Sequence, residues 1–134
     1  MTNSAFLGRL LTAGAVLETP VALGLLAAPS ALAEILLGAP LSGPGLAVAR
    51  LGGGSLLALC IACWSVRGTP SSAASLGVAR GFLAYNLVAC AVLFTAFPAL
   101  PGGAAALGAA ILHGLLVAGL LVALIGREPV ERGN

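Results

Sequence analysis

Charge is what this sequence lacks most. Only 7% of its 134 residues are charged, there is no lysine, and histidine occurs once. Charged residues supply about a quarter of an average soluble domain, so a chain this poor in them has too little polar surface to cover a water-soluble globule. The six basic residues are all arginine and lie scattered, which leaves no basic patch for nucleic acid. Three cysteines, Cys60, Cys63 and Cys90, sit inside apolar stretches, unlike the loop-borne framework of a secreted disulfide protein. A metal or haem site needs several convergent ligands; one histidine and a terminal Met1 do not supply them, so neither metal nor haem is expected.

What the chain has instead is apolar length. It is 60% hydrophobic with a mean hydropathy of +1.12. Four runs of about 20 residues, the length that crosses a hydrocarbon core, are expected as helices at 6–28, 45–66, 76–97 and 104–125. Pro29, Pro40 and Pro44 punctuate the first break, Gly68 to Ser72 the second, and Pro98 with Pro101-Gly102-Gly103 the third. The expected fold is an all-α membrane protein, an up-down four-transmembrane-helix bundle forming a single domain over 1–134. In the first connection, 30–37 reads as a short interfacial helix, with Leu32, Ile35 and Leu36 on one face, Glu34 opposite and Gly38 as its stop.

Arg9, Arg67, Arg80, Arg127 and Arg132 share one side of this topology and Arg50 takes the other, so both termini are expected in the cytoplasm. Ala31-Leu32-Ala33 before Glu34 also fits a signal-peptide cleavage site. The apolar run ahead of it is longer than a usual signal core and is interrupted by Glu18, which favours an uncut first span. Small residues spaced for close helix contact recur at Gly54, Ala58 and Ala62, at Gly77 and Gly81, and at Ala110, Gly114 and Ala118.

The candidate site starts from Glu18, followed by Thr19 and Pro20, in the middle of the first span. A carboxylate at that depth costs several kcal/mol unless it faces protein and has a partner. Pro20 has no amide hydrogen, so the Val16 carbonyl loses its helical donor one turn away. Each later helix offers one strongly polar residue at overlapping depth: Arg50, Asn86 and His113. The sequence reading pairs Glu18 with Arg50 and lets Asn86 and His113 complete the hydrogen bonds, with Tyr85 bonded within the bundle or lining a pocket. Room beside the set would take a small amphiphilic ligand. Alternatively the same residues only glue the helices, a modest role in lipid, or Arg50 snorkels away to the outer interface. His113, with an unperturbed pKa near neutrality, is the candidate for any proton-coupled step, as in a proton-linked small-molecule transporter, which in so short a chain would need an oligomer.

Cys60-Ile61-Ala62-Cys63 is a C-x-x-C within the second span. Placed about 80° or more from the face of Arg50, Leu57 and Trp64, these cysteines read as small packing residues. The rival reading makes them the pair of a membrane thiol oxidoreductase, with quinone as its cofactor; otherwise no cofactor is expected. Trp64, beside Arg67, reads as an interfacial anchor.

The run LAEILLGAPLSGPGLAVARLGGGSLLALCIACW, then ARGFLAYNLVA around Asn86 and ILHGLL around His113, resembles a group of small bacterial four-helix membrane proteins broadly similar to DoxX-like proteins. The resemblance implies four spans and a bacterial inner-membrane location, with no established activity. Some DoxX-like proteins are associated with redox or thiol-stress functions, which adds weight to the cysteine pair. Vitamin K epoxide reductase-like enzymes also combine a C-x-x-C with four helices, but this sequence carries its pair on the second helix and has no second, loop-borne pair. The reading that results is a non-enzymatic integral membrane protein that binds a small amphiphile or serves as an accessory subunit, alone, with a membrane partner or as a homo-oligomer.

Overall fold

The computed structural model describes residues 3–126 and consists of helices joined by short turns. In chain order these are α1 (Asn3–Ala27), α2 (Pro29–Leu37), α3 (Pro44–Val66), α4 (Ala73–Ala96), a 3-10 turn (Phe97–Ala99) and α5 (Gly103–Ile125). Four of them, α1, α3, α4 and α5, are long and apolar enough to cross a membrane. Large side chains such as Leu51, Ile61, Leu87, Leu115 and Ile125 stand exposed around the bundle. Water would not tolerate such a surface; lipid does. The chain is a multi-pass membrane protein with an all-α, four-helix architecture.

The helices stop and start where local chemistry dictates. Pro29 and Pro44 occupy first-turn positions, where their missing amide hydrogen has no helical acceptor to lose. Gly38 ends α2 in the left-handed region at φ 79°, its amide donating to the Glu34 carbonyl. Between α3 and α4, Ser72 caps the next helix by accepting from the Ser75 amide at 3.1 Å, and the buried Ser75 hydroxyl lies 2.6 Å from the Thr69 carbonyl. Pro20 does not break α1.

Around the bundle α1 neighbours α3 and α5, and α4 closes the ring by packing on both of them. Each helix turns one stripe inward at a spacing of three and four: Leu7, Leu11, Gly14, Glu18 and Ala22 on α1; Gly53, Leu56, Cys60 and Cys63 on α3; Ala79, Phe82 and Asn86 on α4; Ala106, Ala110, His113, Leu116 and Leu120 on α5. Phe82 fills the centre and reaches α1, where its ring occupies the space that a Cβ on Gly14 would need. At Gly53 the α3 backbone meets α1 directly: a Cβ placed there would fall 2.9 Å from the Ala22 carbonyl oxygen. α2 lies at the end of the bundle opposite Asn3 and Gly126, joined to the α4–α5 connection by the Gly102 amide, which donates to the Leu37 carbonyl at 3.0 Å.

Three expectations are corrected. Gly54, Gly77 and Gly81 have open space where a side chain would go, and Ala58 and Ala118 are exposed, whereas Ala110 is buried and Gly114 meets Cys90; the tightest approaches between long helices are made at Gly8, Gly14 and Gly53 instead. Spacing alone does not separate an inward from an outward stripe in a chain rich in small residues. Second, α2 buries Pro29 and Ala33 and leaves Ile35 72% exposed, because its contacts are to the bundle end rather than along one apolar face. Third, α3 turns its cysteines inward and Arg50 outward. Arg127 and Arg132, like Met1, lie outside the described residues; Asn3 bonds to the Gly126 carbonyl, which places both ends of the four-span array together.

Gly14→Ala is expected to destabilise the protein by about 1–3 kcal/mol through overpacking against Phe82, read by thermal unfolding in detergent, and Phe82→Leu is expected to restore part of that loss. Gly54→Ala, with nothing to meet, is expected to stay within about 0.5 kcal/mol of the parent.

Candidate functional site

The inward stripes bring three strongly polar side chains to one level. Glu18 is 4% exposed, Asn86 0% and His113 8%. Their order can be built from the acceptor that has no alternative. The Phe82 carbonyl only accepts, so the 2.7 Å contact from Asn86 Nδ2 fixes which end of the amide is nitrogen. Asn86 Oδ1 then faces His113 Nδ1 at 2.8 Å and needs a donor there. His113 Nδ1 therefore carries hydrogen. The same nitrogen lies 3.5 Å from Glu18 Oε1, while the Tyr85 hydroxyl donates to Glu18 Oε2 at 3.3 Å. Tyr85 also meets the His113 ring edge-on, with centroids 5.7 Å apart, and stacks offset on Phe82.

This arrangement has an electrostatic consequence. Among the described residues His113 is the only ionisable base within ion-pair distance of Glu18. A site inside a bilayer favours zero net charge, so the pair has two stable forms: carboxylic acid with neutral imidazole, or carboxylate with imidazolium. The two forms differ in the place of one proton, which in the imidazolium sits on His113 Nε2, since Nδ1 already carries the hydrogen shared with Asn86. Glu18 and His113 are two donors of the kind that hold metals, and no third His, Cys, Asp or Glu joins them among the described residues.

Beside the cluster is a cavity of about 310 Å³ between α1, α2, α4 and α5. Glu18, Tyr85 and His113 supply its polar wall, Leu17, Val21, Leu93 and Leu112 its apolar sides, and Leu36 and Leu37 of α2 close it toward the bundle end. Its size falls at the small end of the range for ligand sites, and its lining, mostly apolar with a few convergent polar groups, is of the usual kind. The role of α2 in that lining escaped sequence reasoning; the two leucines before the Gly38 stop were its only trace.

Of the sequence-derived candidates, Glu18, Tyr85, Asn86 and His113 come together and Arg50 does not. Arg50 is exposed and its Nε donates to the Leu26 carbonyl at 3.4 Å. That carbonyl belongs to the last turn of α1, where no helical donor remains, and a cation is favoured there by the helix dipole. The long side chain serves the helix end instead of the bundle centre. Cys60 and Cys63 are buried free thiols on the inward stripe of α3; Cys63 packs in the main core with Leu7, Leu11 and Phe82, and Cys60 with Ala22 and Leu56. Trp64 is half-exposed with the Arg67 guanidinium 3.8 Å above its ring.

Comparison of the chain with family models, with curated proteins and with solved structures returned no match.

Two outcomes check the geometry. In double-mutant cycles read by thermal unfolding, Glu18→Gln with His113→Leu is expected to show a coupling of about 0.5–3 kcal/mol, and Glu18→Gln with Arg50→Met to add within about 0.5 kcal/mol. Since the chain has one histidine, nitrogen-15 NMR of its imidazole is unambiguous: neutral His113 is expected to hold its hydrogen on Nδ1, and Asn86→Leu to release that preference.

Proposed function

We propose that this protein binds a small amphiphile bearing a hydrogen-bond-donating head, such as a hydroxyl or an ammonium, in the cavity beside Glu18. The observation that carries the reading is the cavity's polarity: one wall presents the Glu18 carboxyl, the Tyr85 hydroxyl and the His113 ring, and the other sides are aliphatic. A head with hydrogens to give would satisfy the carboxyl, while a short chain would replace lipid contacts against Leu17, Leu93 and Leu112. Residues that served only as glue would need no empty volume next to them. We place the protein in a bacterial inner membrane with both termini cytoplasmic, supported by Arg9, Arg67 and Arg80 at the terminal end of the bundle. The likeness to DoxX-like proteins agrees with that placement, and an accessory role beside a membrane partner is compatible with a ligand held in this way.

The test uses octylammonium, octanol and octanoate as probes in thermal unfolding of the purified protein. Ammonium and alcohol are expected to raise the unfolding midpoint, by the equivalent of about 2.7 kcal/mol at a hundredfold excess over Kd, and the carboxylate is not. Glu18→Gln is expected to erase the preference for ammonium, and Ala109→Leu, which fills the cavity, to erase the stabilisation. Equal effects of the three probes, unchanged in both variants, would overturn the reading.

A further inference from the structure

On the opposite side of α1 lies a second cavity, independent of the polar cluster. It is a groove of about 400 Å³ between α1 and α3, with Val16, Thr19 and Pro20 on one bank, Leu57, Ile61 and Trp64 on the other, and the buried Ala15 and Cys60 beneath. Pro20 explains part of its existence, since a compact ring among the small neighbours Ala15 and Thr19 leaves α3 without a side chain to pack against. Val16 is 56% exposed and Ile61 59%, so the groove faces the surroundings of the bundle. In a bilayer those surroundings are acyl chains.

The lower end of the groove is not apolar. Trp64 forms its rim, and the Arg67 guanidinium sits over that ring while donating to the Trp64 carbonyl. The guanidinium is thereby held at the groove mouth with most of its five donors directed elsewhere. Arg9 arrives at the same level: the α1 backbone touches α3 there, a Cβ on Gly8 falling 2.9 Å from the Arg67 carbonyl. Seven and eleven residues along α1 from Arg9 are Val16 and Pro20, so at 100° per residue all three share one stripe within about 20°. Val16 stands about 10 Å above Arg9 at 1.5 Å per residue, the depth of an upper acyl chain below its headgroup.

We infer that this groove is a binding site for one anionic phospholipid from the leaflet on the terminal side of the bundle, its phosphate on Arg67, with Arg9 adding positive charge at the same level, and a chain lying along Trp64, Ile61 and Leu57 toward Pro20. Charge selects the occupant. A zwitterionic lipid fills the apolar groove equally well but gains less from the positive charge at its mouth, whereas an arginine near a membrane surface favours an anionic lipid about fivefold.

Trp64 is the only tryptophan in the chain, so its fluorescence reports this groove alone. The protein is reconstituted in phosphatidylcholine vesicles containing a fixed minor fraction of either chain-brominated phosphatidylglycerol or chain-brominated phosphatidylcholine, and quenching by the two is compared. Brominated phosphatidylglycerol is expected to associate about fivefold or more tightly than its zwitterionic counterpart, and Arg67→Gln to reduce that ratio about fivefold. Arg67 and Arg80 are both exposed, so neither change disturbs the core, and Arg80, on α4 and outside the groove, provides the contrast. Arg80→Gln is expected to leave the ratio unchanged. Equal quenching by the two lipids in the parent protein would overturn the site, and so would a loss in Arg80→Gln as large as in Arg67→Gln, which would mark a general surface attraction. Neither outcome bears on the cavity at Glu18.

Discussion

A carboxyl group in a medium without water has to find its hydrogen bonds inside the protein, and the centre of this bundle is arranged by that demand. Glu18 receives the Tyr85 hydroxyl on one oxygen and faces His113 on the other. His113 is in turn oriented by Asn86, and Asn86 by the Phe82 carbonyl. The chain of donors runs in one direction because it starts from a group that can only accept. It also fixes the rotation of three helices about their axes, since turning any of them by one residue would carry its polar member about 100° away from the others. Packing alone would not set those rotations in a sequence so uniformly built from Ala, Leu and Gly.

The aromatic residues of α4 make that centre reachable. α1 and α4 stand diagonally across the ring of helices, too far apart for small side chains to meet. Phe82 and Tyr85 span the gap, the first ending on Gly14 and the second on Glu18. Gly14 is thus the apolar counterpart of Glu18 one turn earlier: both are places where α1 receives a side chain from α4. The same geometry leaves space on the α2 side of Tyr85. There the bundle is closed by Leu36 and Leu37 from a short helix rather than by a fifth span, and the cavity results.

Much of this was legible in the sequence, for reasons that are local. Segment length and punctuation by Pro and Gly located the four spans to within a few residues, because in lipid a backbone has few alternatives to a continuous helix. Glu18, Asn86 and His113 stood out because polar residues are so rare in these spans that their shared depth was visible by counting. Arg50 was paired with Glu18 because its side chain is long enough to reach inward as easily as outward; the unsatisfied carbonyls at the end of α1, which depth does not show, draw it outward. The inward glycines were missed for a related reason: periodicity gives a face but not its direction, and on α3 the inward face proved to be that of Gly53, Cys60 and Cys63. No local rule could have shown that α2 would turn Leu36 and Leu37 toward Tyr85 and His113, since that depends on how the α4–α5 connection meets Gly38.

The two cavities sit on either side of α1 and draw on different physics. The one beside Glu18 is lined by four helices and would select by hydrogen bonding, where a mismatched head leaves a buried polar group unpaired. The groove at Pro20 is open to lipid and would select by charge at its mouth, since any acyl chain fits its walls. Both depend on the few residues of α1 between Gly14 and Val21, where Glu18 faces one way and Val16 and Pro20 the other. The proline serves the groove alone: it keeps the α3 side of the helix thin, while the carboxyl, two residues earlier, is held by α4 and α5. A substitution at Pro20 that let α3 close onto α1 would remove the groove without touching Tyr85 or His113. Occupancy of the two sites is therefore separable by mutation although they share about two turns of one helix.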